Sequence, residues 1–233
     1  MRIIKRYVKQ VVLLTAFSSF ALGTSLQAVH AAPGGSVEPD VPVGITILPL
    51  DKHPVPDVMK TQARLELKEM SERGYVDSTE EAVSYLDKAK QNKDNRLKPM
   101  KEVAPKLKIV PANIASSALG NANFLGAAAS GGHTEEGWTG LDRVFVVPKL
   151  GIVGLNEIDY IESQGGMAFI EEAINQEVNG FPAILRVKQS RSKKGLTELT
   201  WATDRKIYTL STNRALKNQK SIDEFLAFAN SIL

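Results

Sequence analysis

Histidine is the side chain best suited to proton transfer at neutral pH, and this chain has three, at positions 30, 53 and 133. His133 has the richest surroundings: Gly131-Gly132-His133-Thr134-Glu135-Glu136-Gly137-Trp138 sets an imidazole beside two carboxylates in a glycine-flanked loop. Those groups suit a base with an orienting acid, or a ligand pair for a divalent cation. A zinc site generally takes three or four protein ligands, and none of the common spacings occurs here, so no metal is assigned. His133, Glu135 and Glu136 stand as an alternative site, for an envelope hydrolase. His53, within His53-Pro54-Val55-Pro56, reads as an exposed residue of an extended arm.

Ser190-Arg191-Ser192-Lys193 matches the S-x-x-K of penicillin-recognising enzymes. Such a serine belongs at the buried start of a helix with partner motifs elsewhere; here it falls in a basic hairpin loop, and no partner motif is present. The chain also lacks a G-x-S-x-G elbow, a P-loop, a dinucleotide fingerprint and H-E-x-x-H. Two acids from anywhere in a fold suffice for a glycosidase, yet nothing singles out a pair. No catalytic residue and no cofactor are assigned, and a non-enzymatic role is expected.

Arg191, Lys193 and Lys194, with Arg205 at the other end of the same expected sheet, make a footprint for an acidic protein or an anionic envelope component. The plainer role for such residues is to keep a sheet edge soluble.

Residues 1–31 set the address. A basic start (Arg2, Lys5, Arg6, Lys9), an apolar run from Val11 to Leu22 and Val29-His30-Ala31 form the pattern of a secretory signal peptide, with cleavage expected after Ala31. The run is too short to span a bilayer, and no later segment is continuous enough to do so. The expected location is the periplasm or the exterior. Without cysteine there is neither a disulfide framework nor a thioether lipid anchor. The pI near 9 invites a nucleic-acid or membrane reading, but the formal charge of +3 becomes about −1 once the leader's basic residues are removed, so whole-chain polyanion binding loses its support. Charge is nevertheless uneven: residues 134–179 are acidic and residues 180–233 basic, and the two regions either face each other or leave a patch free for a partner.

The rest of the chain must position these groups. Residues 32–56 read as a proline-rich arm with at most one short strand, 44–50. A helical hairpin is expected over 57–92: Met59, Ala63, Leu67 and Met70 share one face up to Gly74, and Ser78-x-x-Glu81 has the spacing of a capping box. A ribbon-helix-helix DNA-binding unit has a similar order of elements, but export and mixed charge count against it. Residues 93–140 read as a basic linker followed by an uncharged small-residue segment, 109–132, which is a mobile loop, a closely packed helix or a stretch that orders on a partner. A C-terminal domain, 141–233, is expected to be α+β, with an antiparallel sheet covered by helices in the order ββαβββα. Its strands are 144–147, 152–161, 183–189, 196–203 and 206–211; its helices are 167–178 and one opening at Ser221 that buries Ile222, Phe225, Leu226, Ala229 and Leu233.

Leu199-Thr200-Trp201, Tyr208-Thr209-Leu210 and the terminal helix from Glu224 to Ile232 resemble the closing sheet-and-helix unit of small extracytoplasmic domains related to lipoprotein carriers and anti-sigma-factor sensor domains. The resemblance implies a non-catalytic sheet that binds a lipid or a protein. Its matching positions are packing positions, so it carries no functional residue over. Together these features point to an exported binding or accessory protein. A structural component of an envelope assembly, pairing through its N-terminal arm, is the third class beside the hydrolase.

Overall fold

The computed structural model describes residues 44–93 and 95–232; the leader, its cleavage site and the start of the arm lie outside the described residues. The fold is α+β, with one large, mostly antiparallel sheet and few helices. Its strands are β2 (Val76–Asp77), β3 (Asn123–Thr134), β4 (Gly137–Val147), β5 (Gly151–Asp159), β7 (Gln176–Val178), β8 (Phe181–Gln189), β9 (Gly195–Ala202) and β10 (Lys206–Thr212). The order is β2-β8-β9-β10-β5-β4-β3, with β7 also paired to β8, and only β2 runs parallel to its neighbour. A separate parallel pair joins β1 (Gly44–Leu48) to β6 (Gly166–Ile170). No helix among the described residues is long and apolar enough to cross a membrane.

Strand alternation sends Ala183, Leu185, Leu199, Trp201, Tyr208, Leu210, Leu155 and Phe145 to one face. There α5 (Gln219–Asn230) covers them with Phe225 and Ala229, and the irregular chain before β3 adds Ile114 and Leu119, while α4 (Met100–Val103) packs Val103 with Ile109, Ala127 and Leu141. The opposite face is covered in two places. Helix α1 (Asp57–Arg73) packs Ala63 and Leu67 with Ile184, Ala202 and Ile207. The short helices α2 (Glu80–Val83) and α3 (Tyr85–Gln91) pack Val83 and Leu86 on Val144, Ile152 and Leu196.

The expected helical hairpin therefore divides. Gly74 ends α1 with φ +71°, but β2 then pairs with Lys188 and Gln189 of β8, so α1 and α3 enter different parts of the core. Two caps are shifted as well: Thr79 rather than Ser78 accepts the Ala82 N–H of α2, and Asn218 rather than Ser221 caps α5. Of the terminal helix's expected buried face, Phe225 and Ala229 are buried, Ile222 and Leu226 partly so, and Leu233 lies outside the described residues.

Residues 167–178 are not a helix. They form β6, a 3₁₀ turn (Glu171–Ala173) and β7, so the ββαβββα order does not hold. The parallel partner β1 takes up β6, and the Asn175 side chain bonds both the N–H and the C=O of Leu185, replacing a rung of the ladder. Residues 123–134 are also corrected, from a mobile segment to strand β3, and β4 runs through residue 140. Alanine and glycine have poor strand propensity, but close approach requires the glycine at 126, where a Cβ would lie 2.8 Å from Leu97 Cβ. His53 is buried, its Nε2–H shared between the carbonyls of Leu48 (3.1 Å) and Phe169 (3.2 Å), because the arm turns in to pack on β6.

Candidate functional site

The hairpin between β8 and β9 is braced rather than loose. Ser190 N–H donates to Lys194 O (2.9 Å) and Lys193 N–H to Ser190 O (3.0 Å), which closes the turn with Lys193 at φ +69°. From α2, Glu80 reaches across to accept the Ser192 N–H at 3.2 Å, and Lys194 Nζ lies 3.6 Å from the same carboxylate. Hydrogen bonds from Ser190 and then Ser192 push the Glu80 carboxyl down to about 2, so it is ionised throughout the physiological range. A cavity of about 480 Å³ lined by Asp77, Ser78, Thr79, Glu80 and Arg191 flanks the turn.

The chain leaving β10 passes beside this hairpin. Thr197 Oγ1 donates to Arg214 O (2.8 Å) and accepts the Leu216 N–H (3.0 Å). Gly195 allows the contact, since a Cβ there would fall 2.2 Å from Ala215 N. Lys217 Nζ donates to Gln189 Oε1 at 2.8 Å and sits 3.4 Å from the centre of the Tyr75 ring. The turn between β4 and β5 docks on the same segment, with Ile152 N–H donating to Asn213 Oδ1 at 2.8 Å. Three turns thus place Lys149, Arg191, Lys193, Lys194, Arg214 and Lys217 at one end of the sheet, all exposed. Only Lys194 among them has a carboxylate partner within the described residues.

Arg205 belongs to the other end. It lies beyond the far end of β9, and eight residues of strand separate the ends by roughly 26 Å. The structure therefore brings Arg191, Lys193 and Lys194 together and places Arg205 elsewhere. Its guanidinium bonds the buried Asp159 through Nε (2.5 Å) and also pairs with Glu162.

That second end holds the histidine loop. His133 is exposed on β3 opposite Trp138, ring centres 4.9 Å apart in an edge contact. Glu136 pairs with Lys108 at 2.8 Å, and Lys108 also reaches Glu162 at 3.2 Å; Glu135 is exposed. Lys108 enters this chain of charges because its N–H donates to Trp138 O (2.9 Å) beside the start of β4. Lys108, and then Arg205, holds the Glu162 carboxyl below its ordinary value. Among the described residues no group of three or more His, Asp or Glu side chains is arranged to hold a metal ion.

Below the surface chain lies a feature the sequence reading missed. Glu157 on β5 is fully buried and accepts from Arg143 of β4 (2.7 Å), Lys206 of β10 (2.9 Å) and the Ala112 N–H (2.9 Å). Arg143 also donates to Ala112 O at 3.0 Å, and Lys206 to Val110 O, so the triad holds the irregular segment onto the sheet. Beside it Trp201 and Tyr208 stack with ring centres 5.3 Å apart. Burial, with the Glu157 charge adding to it, pushes the Tyr208 phenol up to about 12. Strand parity was the available signal: Lys206 shares its face with Tyr208 and Leu210, and Glu157 shares its face with Leu155.

Comparison of the chain with protein families, with curated proteins and with solved structures found no match in any of the three.

Proposed function

We propose that this chain is an exported, non-enzymatic binding or accessory protein that recognises an acidic protein or an anionic envelope component through the basic end of its sheet. The observation that carries this reading is the course of residues 213–218, which adds Arg214 and Lys217 to the β8–β9 hairpin and to Lys149, so that five exposed cations stand together without a carboxylate partner among the described residues. Charge of one sign on a braced surface attracts an opposite partner and loses little freedom on binding it. The leader expectation supplies the compartment, and Glu80 supplies the bracing.

The test is retention of the chain from Ala32 onward on immobilised polyglutamate at low salt. Arg214→Gln with Lys217→Gln should shorten retention while leaving the melting temperature within the range of ordinary surface changes, about 0.5 kcal/mol. Unchanged retention would remove the basic end from the recognition surface.

A further inference from the structure

We infer that the basic end is a docking face for an anionic phospholipid surface, an assignment that rests on the function proposed above and names its partner. The shape of the patch carries the argument. Its cations come from three separate turns, at 148–150, 190–194 and 213–218, set in a row across the ends of β8, β9, β10, β5 and β4. Neighbouring strands are about 4.8 Å apart, so the row extends about 20 Å. A row of that width across several turns suits an array of headgroups better than one bound anion. The flanking cavity is no competitor, because Asp77 and Glu80 line it against a single guanidinium.

Two lysines mark the face independently. Lys149 and Lys193 both adopt left-handed backbone conformations, φ +70° and +69°, where glycine or asparagine would be less strained. Both stand in the turns at this end of the sheet and hold a long cationic side chain beyond the strands. The acids nearby are already engaged: Glu80 by Ser192 and Lys194, Asp77 by Arg73, and Asp87 by the Asn213 amide. An apolar contact is also at hand. Phe124, 39% exposed, lies near the same end of β3, its ring tilted against that of Phe145 with centres 5.3 Å apart. Cations over anionic headgroups, with an aromatic ring at the interface, are the elements of reversible surface binding.

The chain from Ala32 onward, without a leader that would itself bind lipid, is sedimented with vesicles of phosphatidylcholine alone or mixed with phosphatidylglycerol. It should bind the mixed vesicles, more weakly as salt rises, and leave the neutral ones. Lys149→Gln/Arg191→Gln/Lys193→Gln should weaken that binding about a hundredfold, at roughly fivefold per charge. Phe124→Ser should weaken it a fewfold with the salt dependence unchanged. Lys52→Gln/Lys101→Gln/Lys106→Gln, equal in charge but on other elements, should bind as the parent does. Equal vesicle binding by the basic-end variant and the parent overturns the assignment. Retention on polyglutamate without vesicle binding overturns the lipid and leaves an acidic protein as partner; failure on both supports overturns the proposed function as well.

Discussion

At the end of the sheet that carries Arg205, bases and acids meet in pairs: Arg143 and Lys206 meet Glu157, Arg205 meets Asp159 and Glu162, and Lys108 meets Glu162 and Glu136. At the opposite end Lys149, Arg191, Lys193, Arg214 and Lys217 have no carboxylate partner among the described residues. The acidic and basic halves of the C-terminal sequence thus meet only in part. Antiparallel strands return Glu135, Glu136 and Glu162 to one end and carry most of the free cations to the other. Matched charge at the first end holds irregular chain to the sheet, whereas unmatched charge at the second remains available to a partner.

The comparison breaks most visibly if the buried triad is disturbed. Glu157→Ala leaves Arg143 and Lys206 buried without their shared anion and should destabilise the fold by about 3–5 kcal/mol in denaturant unfolding. Replacing the triad together, as Arg143→Met/Glu157→Leu/Lys206→Met, should recover most of that loss, because apolar groups need no counter-ion. A smaller effect separates Arg205 from the hairpin cations: Arg205→Ala strips the buried Asp159 of its cation and should lower the melting temperature without altering polyglutamate retention.

The smallest effect is a pH response at the basic end. The Glu80 carboxyl is depressed in the folded chain to about 2, so its link to the hairpin is present above the ordinary carboxylate range and is lost as pH falls through the folded value. Protection of the Ser192 amide, taken relative to its intrinsic exchange rate at each pH, should fall on acidification toward pH 2. Glu80→Gln should abolish that pH dependence.

Much of the sheet was legible because alternation is a local property. The strands over 144–147, 152–161, 183–189, 196–203 and 206–211 all lie in or around observed strands, and Ala183, Leu185, Leu199, Trp201, Tyr208 and Leu210 do face one core. The helix expected over 167–178 failed where a readable signal stood beside it. Asn179-Gly180, at φ +49° and +83°, is a two-residue hairpin turn, and such a turn requires a strand before it as well as after. For β3 no local signal existed: Gly126 is required by the approach of Leu97 and Gly131 by that of Thr139, which only the tertiary fold reveals. The hairpin cations were visible in sequence; Lys149, Arg214 and Lys217 were not, because their place beside the hairpin follows from the return of the chain after β10.

The central claim is that the two ends of the sheet differ in function, and the direct measurement is polyglutamate affinity across ionic strength for variants of each end. Arg191→Gln/Lys193→Gln/Lys194→Gln should bind more weakly at low salt and show a flatter salt dependence, while Lys108→Gln/Arg205→Gln should follow the parent curve once folding is verified. A parent-like curve for the hairpin variant, with the flattened one belonging to the Lys108 and Arg205 variant, would contradict the account.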